Sequence, residues 1–315
     1  MENQRSTQNQ SLFGAPTNAK AAGLTFTLAA IFPSVLAIVF LFCVQAFGLN
    51  EKEGYTSADW YLYANYLLVP VAFACIAALV WAWQKKSLSQ TLKAQKCHYK
   101  YYIIALCLQV GLFSLSQLNT WFLELLGQFG YVADEIELPS TDGVKFVFVL
   151  LAIAVLPALF EELIFRGFLL DGLRAFGEVG AILLCGGLFA LYHQNPAQTL
   201  YQFCCGAAFA LIAVRSGSVL PTVLSHFFNN ALILMLTKFG VESFMTPVMS
   251  FILILSPICL IASLVWLFAL DKKEKGEKEQ TVAIDKTEHK RFFVYASAGL
   301  AICLLTWLFV FVSGL

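Results

Sequence analysis

VKFVFVLLAIAVLPALFEELIFRGFLL, residues Val144–Leu170, is apolar for longer than a bilayer is thick, yet it carries two carboxylates and a guanidinium, Glu161, Glu162 and Arg166. About 20 apolar residues cross the ~30 Å hydrocarbon layer as a helix. An ionisable group near its centre costs ~2.5–3.5 kcal/mol even on the lenient insertion scale, so such a residue faces a protein interior or a water-filled cavity and has a function by default. Snorkelling of all three to the interface is the plainer account. It is weakened because the apolar run continues beyond them through Gly167, Phe168, Leu169 and Leu170. Glu162 and Arg166 are four apart and pair on one helix face, whereas Glu161 points about 100° away. One carboxylate is thus tied to its counter-charge and its neighbour stays available.

The rest of the chain reads in the same solvent. Hydrophobic residues make up 59% of it and charged residues 13%, with a mean hydropathy of +0.74, more apolar than a water-exposed surface allows. Further apolar runs lie at Leu24–Phe47, Trp60–Trp83, Tyr101–Leu126, Val179–Tyr192, Ala197–Val214, Val219–Leu236, Val248–Leu270 and Phe292–Val312. The expected fold is therefore all-α, a polytopic transmembrane helical bundle of about eight to nine spans. Three parts are expected: 1–140 with a polar tail and three helices, 141–240 as a catalytic core, and 241–315 with two helices and a basic loop. Polar residues at the start (Asn3, Gln4, Gln8) do not fit a cleaved signal peptide.

Lys and Arg number 20, as do Asp and Glu, so there is no basic excess for nucleic acid and none is expected as a partner. Nine cysteines, mostly single in apolar runs, read as apolar fillers rather than a disulfide framework. Lys85, Lys86, Lys93, Lys96 and Lys100 follow the second run and Lys272–Arg291 the eighth, while Asp134, Glu135, Glu137 and Asp142 follow the third. Arg174 and Arg215 fall after the fourth and sixth runs. With basic loops inside, nine spans place the N-terminus in the cytoplasm and the protein in the cell membrane.

Two more segments put polar groups into apolar runs. The fifth ends Phe189-Ala190-Leu191-Tyr192-His193, and the seventh contains His226-Phe227-Phe228-Asn229-Asn230. His226 and Asn230 project from one face. A lone membrane histidine is about as often a helix-to-helix hydrogen-bond donor as a catalyst; the set is harder to dismiss. A carboxylate removed from water holds a proton more readily and suits a general base, while histidines and an amide orient water, bind a metal or stabilise an oxyanion. Hydrolysis of an amide by activated water uses all of them. No HExxH helix, GxGD motif or convincing serine nucleophile is present.

The pattern EExxxR, then FxxxH on the next helix, then HxxxN two helices on, resembles the CPBP family, which joins type II CAAX prenyl endopeptidases with Abi-type putative proteases. Here it reads Glu161, Glu162 and Arg166; Phe189 and His193; His226 and Asn230. The resemblance covers about a third of the chain and implies an intramembrane endopeptidase in which Glu161 activates water. It gives His193 and His226 as partners and Asn230 near the oxyanion or metal. A peptide or membrane-anchored protein substrate in the lipid bilayer is expected; prenylated CAAX proteins, peptide pheromones and other membrane-anchored proteins are all compatible, and the resemblance names none of them. Zn²⁺ held by Glu161, His193 and His226 with one open position suits the set, and so does metal-free base catalysis. Two other functions compete: a non-proteolytic immunity or scaffold protein of the same fold, and a proton-coupled transporter using Glu and His as a relay.

Overall fold

The structure is a computed structural model, and it describes residues 19–84, 94–133, 136–240, 247–271 and 286–315. Lys85, Lys86, Lys93, Asp134, Glu135 and the lysines of 272–278, on which the charge asymmetry partly rests, lie outside the described residues. The ordered elements among the described residues are helices. They are α1 (Ala19–Ala46), α2 (Asp59–Gln84), α3 (Lys100–Leu112) and α4 (Ser116–Gly127). Then come α5 (Lys145–Val149), α6 (Leu156–Glu162), α7 (Leu170–Gly172) and α8 (Gly177–Tyr192). The chain ends with α9 (Thr199–Ser216), α10 (Leu220–Lys238), α11 (Pro247–Val265) and α12 (Lys286–Ser313).

Eight helical stretches among the described residues are long and apolar enough to cross a membrane, and the fourth, Lys145–Tyr192, has 48 residues. Straight, it would be about 70 Å long, more than twice the hydrocarbon thickness. It is a hairpin. A 3₁₀ turn at Leu173–Phe176 leads into Gly177, whose φ of 77° is a left-handed conformation open to glycine and costly for other residues. α8 then folds back on the preceding helix: Phe165 meets Phe189 at 5.0 Å and Tyr192 at 5.3 Å between ring centroids. The fourth and fifth apolar runs are the two arms of this hairpin, and together they make up one of the eight stretches.

Contacts at the helix ends sort the bundle into two faces. On one, Lys100 pairs with Asp271 at 2.6 Å, Arg215 approaches Glu178 at 3.9 Å, and His289 donates to the Ala175 carbonyl at 2.8 Å. On the other, Asp59 accepts from the Ser140 amide at 2.7 Å and Lys145 at 2.9 Å, Ser57 reaches Glu137, and Lys238 donates to the Thr141 carbonyl. The segments bordering both lysine-rich stretches, with Arg174 and Arg215, thus share one face, and the segment containing Glu137 and Asp142 lies on the opposite one.

The arm that carries the two glutamates is irregular. Leu150–Val155 and Leu163–Leu169 are wound as π-helix on either side of α6, a form that recurs at functional sites. Pro157 has no N–H, so the Ile153 carbonyl four residues earlier lacks its α-helical donor; Asn230 of α10 supplies one at 3.2 Å. In the second π segment the Phe165 carbonyl accepts from the Cys185 thiol at 3.6 Å.

α8 and α9 cross at glycines. A Cβ on Gly206 would lie 2.9 Å from the Gly186 Cα, and one on Gly186 would lie 2.8 Å from the Ala207 amide nitrogen. Without a hydrophobic drive between helices in lipid, close backbone approach through small residues is what holds such a pair. At Gly187, one residue on, an added Cβ would meet nothing within 4 Å. Gly206→Ala should therefore destabilise the protein by ~1–3 kcal/mol through overpacking. Gly187→Ala should be neutral or stabilising by up to ~1 kcal/mol from helix propensity. Thermal unfolding of the two detergent-purified variants compares them directly, and equal midpoints would remove the crossing as a packing constraint.

Candidate active site

The site is built outward from Arg166, fully buried although it is among the most polar side chains known. Its Nη1 donates to Glu162 Oε1 at 2.6 Å, one helical turn back, and its Nη2 donates to the Gly206 carbonyl at 3.1 Å. Three aromatic faces enclose the guanidinium, Phe189 at 4.3 Å, Phe209 at 5.2 Å and Phe165 at 5.9 Å from its carbon. Their negative faces substitute in part for lost water. The Gly206 contact depends on the glycine crossing, because a wider separation of α8 and α9 would carry that carbonyl away.

Glu162, also fully buried, shares its Oε1 between Arg166 and His226 Nδ1, the latter at 2.9 Å. A carboxylate oxygen accepts, so Nδ1 is the protonated nitrogen of that ring, and in the neutral imidazole Nε2 is left as an acceptor. His226 Nε2 faces Glu161, whose Oε2 is 3.9 Å away. That separation is too long for a hydrogen bond. It suits one water touching both atoms at ~2.8 Å. Glu161 Oε2, Glu162 Oε2 and Arg166 Nε are buried without a hydrogen-bond partner among the described residues. Each such atom costs ~1–3 kcal/mol, a cost that a bound water or substrate amide would offset.

His193 ends α8. Its Nδ1 donates to the Phe189 carbonyl at 2.7 Å, which again leaves Nε2 free to accept in the neutral ring. His193 and His226 both stand edge-on to the Phe189 ring, with centroids at 4.6 and 6.0 Å. Gln194, the next residue, has a φ of 53°, the one positive value at a non-glycine residue among those described. Asn230 is engaged differently: its Nδ2 donates to the Ile153 carbonyl, and its Oδ1 accepts from Asn229 Nδ2 at 3.0 Å. One N–H of the Asn230 amide is left for a ligand.

Glu161, Glu162, Arg166 and His226 therefore form one connected group. His193 borders it across Phe189, and Asn230 stands a turn further along α10 with its carbonyl end committed. Glu161, His193 and His226 were the three ligands expected for Zn²⁺. No group of three His, Cys, Asp or Glu side chains among the described residues is gathered closely enough to hold a metal ion. As placed, Glu161, His193 and His226 do not fit a three-ligand zinc centre.

Two features of the site were not read from sequence. The Gly186–Gly206 crossing has no motif of fixed spacing, because its partners are on different helices. The second is a buried amide cluster behind Asn230: Gln109, fully buried on α3, and Tyr201 on α9 both donate to Asn229 Oδ1, at 2.7 and 2.9 Å. Gln109 and Asn229, each inside an otherwise apolar run, were its traces in the sequence.

Removing one partner of the buried pair should be far worse than removing both. Arg166→Ala leaves a buried carboxylate with His226 alone and should cost ~3–5 kcal/mol. Glu162→Gln combined with Arg166→Met removes both charges at similar volume and should recover most of that loss. The comparison is thermal unfolding of purified variants. Equal destabilisation by the single and double changes would mean that the charge balance is not what holds the site.

A search of curated proteins and a search of solved structures each gave no match to the chain. A family model does match. It covers residues 143–232, from the start of the hairpin into α10, and takes in every residue from Glu161 to Asn230 just described. Over this central segment the chain matches the family described as Type II CAAX prenyl endopeptidase Rce1-like, a CPBP family.

Proposed function

We propose that the protein is an intramembrane endopeptidase in which Glu161 is the general base. The observation that carries this reading is the 3.9 Å gap between Glu161 Oε2 and His226 Nε2, flanked by a second glutamate already committed to Arg166. A water in that gap gives a proton to Glu161 as its oxygen attacks the scissile carbonyl. Glu161 then returns the proton to the amide nitrogen as the C–N bond breaks. His226, held by Glu162 through Nδ1, orients that water. The remaining N–H of Asn230 faces the developing oxyanion, and His193 lies beside the same space. Arg166 and Glu162 touch no substrate in this scheme; they hold His226 in one tautomer. The substrate class follows from the matched family and the surroundings: a peptide anchored in the bilayer, of the prenylated C-terminal kind in the family's description.

The sidedness of the bundle supports an orientation as well. The face with Lys100, Arg174, Arg215 and the start of α12 is placed in the cytoplasm with the N-terminus, and the face with Glu137 and Asp142 outside. In whole cells, an impermeant thiol reagent should label Asp142→Cys and spare Lys290→Cys. The reverse pattern would invert the orientation.

The mechanistic test uses detergent-purified protein with a quenched farnesylated peptide. Glu161→Gln keeps shape and hydrogen bonding but accepts no proton, so cleavage should fall by at least ~10²-fold with an unchanged unfolding midpoint. Wild-type cleavage should survive dialysis against a zinc chelator. Full activity in Glu161→Gln would remove the proposed base, and activity lost on chelation and restored by Zn²⁺ would put a metal in its place.

A further inference from the structure

We infer that Gln109 and Tyr201 are positioning residues for Asn230, acting through Asn229, and that they determine which end of the Asn230 carboxamide is offered to the reacting group; this rests on the proposed role of Asn230. A primary carboxamide has two ends of nearly equal size, one a double donor and the other an acceptor. Packing does not tell them apart. Only polar partners do, and here the partners form a continuous chain across four segments of the bundle.

The chain starts at Ser225, whose hydroxyl lies 3.1 Å from the Ala105 carbonyl and 3.4 Å from Gln109 Oε1. With its oxygen on that side, Gln109 turns Nε2 to Asn229 Oδ1 at 2.7 Å. Tyr201 adds a second donor to the same oxygen at 2.9 Å. Two donors on Asn229 Oδ1 force its Nδ2 to the far side, where it donates to Asn230 Oδ1 at 3.0 Å. Asn230 must then present Nδ2 on its other side, and one of those hydrogens meets the Ile153 carbonyl that Pro157 left without its α-helical donor. A flipped Asn230 would set oxygen against oxygen at Ile153 and N–H against N–H at Asn229. The relay therefore fixes Asn230 as a donor towards the site. Gln109 belongs to α3, outside the segment 143–232 that the family model covers.

Buried amides between helices also serve as plain adhesive, and the experiment separates the two roles. In full-length protein labelled with ¹⁵N-asparagine in detergent, the Asn230 side-chain amide pair is the one lost in Asn230→Ala. Gln109→Met with Tyr201→Phe removes both donors from Asn229. It should speed exchange of that pair at least ~10-fold and bring its two proton shifts together, as expected when a buried hydrogen bond loses its fixed geometry. Gln109→Glu, which keeps the shape but puts an acceptor where the donor was, should do the same and serves if the double variant does not fold. An unchanged pair in the variant that folds overturns the relay.

The second arm measures cleavage of the farnesylated peptide. The double variant should lose about tenfold in kcat with KM unchanged, and should lose nothing further when placed in Asn230→Ala. A tenfold loss in that background too would make the cluster adhesive only and overturn the proposal. A wild-type protein that does not cleave the peptide counts against the proposed function alone, because the amide exchange still decides the relay.

Discussion

A fully buried guanidinium is the constraint around which the centre of this molecule is organised. Arg166 lies in the second half of a membrane-crossing arm, where water cannot solvate it, and every nearby irregularity answers to that placement. Glu162 neutralises it from one turn back. Gly206 offers a backbone carbonyl that only a close helix crossing brings within reach, and Phe165, Phe189 and Phe209 surround it with ring faces. The pair by itself is weak evidence of stability, since desolvation of two ions rivals their attraction. Its value is in what it fixes. Glu162 cannot turn away from Arg166, so His226 is held through Nδ1, and the ring's other nitrogen faces Glu161. Two adjacent carboxylates thereby acquire different partners from one helix repeat.

Much of this was legible in the sequence because membranes enforce simple rules. Length and hydropathy marked the crossing segments, and the i, i+4 spacing of Glu162 and Arg166 identified the paired carboxylate without reference to any other helix. The run Val179–Tyr192 is the shortest of those apolar runs. It proves to be the return arm of a hairpin whose turn is so tight, at Leu173–Gly177, that helical winding hardly lapses. What the sequence withheld were contacts between helices. Gly186 and Gly206 are ordinary glycines until two backbones meet there, and Gln109 is an isolated amide until α3 lies against α10. The family resemblance implied Asn230 near the oxyanion or metal, but its engagement with Ile153 depends on a proline in another helix. Sequence likewise does not say where the histidine nitrogens point: that is set by the bonds of His226 to Glu162 and of His193 to the Phe189 carbonyl.

The pairing of the first and last helices has a consequence for how the protein is made. Gly23 and Gly299 allow α1 and α12 to touch backbone to backbone, and Thr27 donates to the Tyr295 carbonyl across 268 positions of sequence at 2.7 Å. At ~5–20 residues per second, a ribosome adds that intervening chain over roughly a quarter to a whole minute. Until α12 has been added, the small-residue face of α1 lacks the partner it has in the folded protein. Closure therefore waits for the arrival of α12. Two helices far apart in the sequence are thus clasped by small residues and a side-chain hydrogen bond, so neither helix has this partner until both have been made.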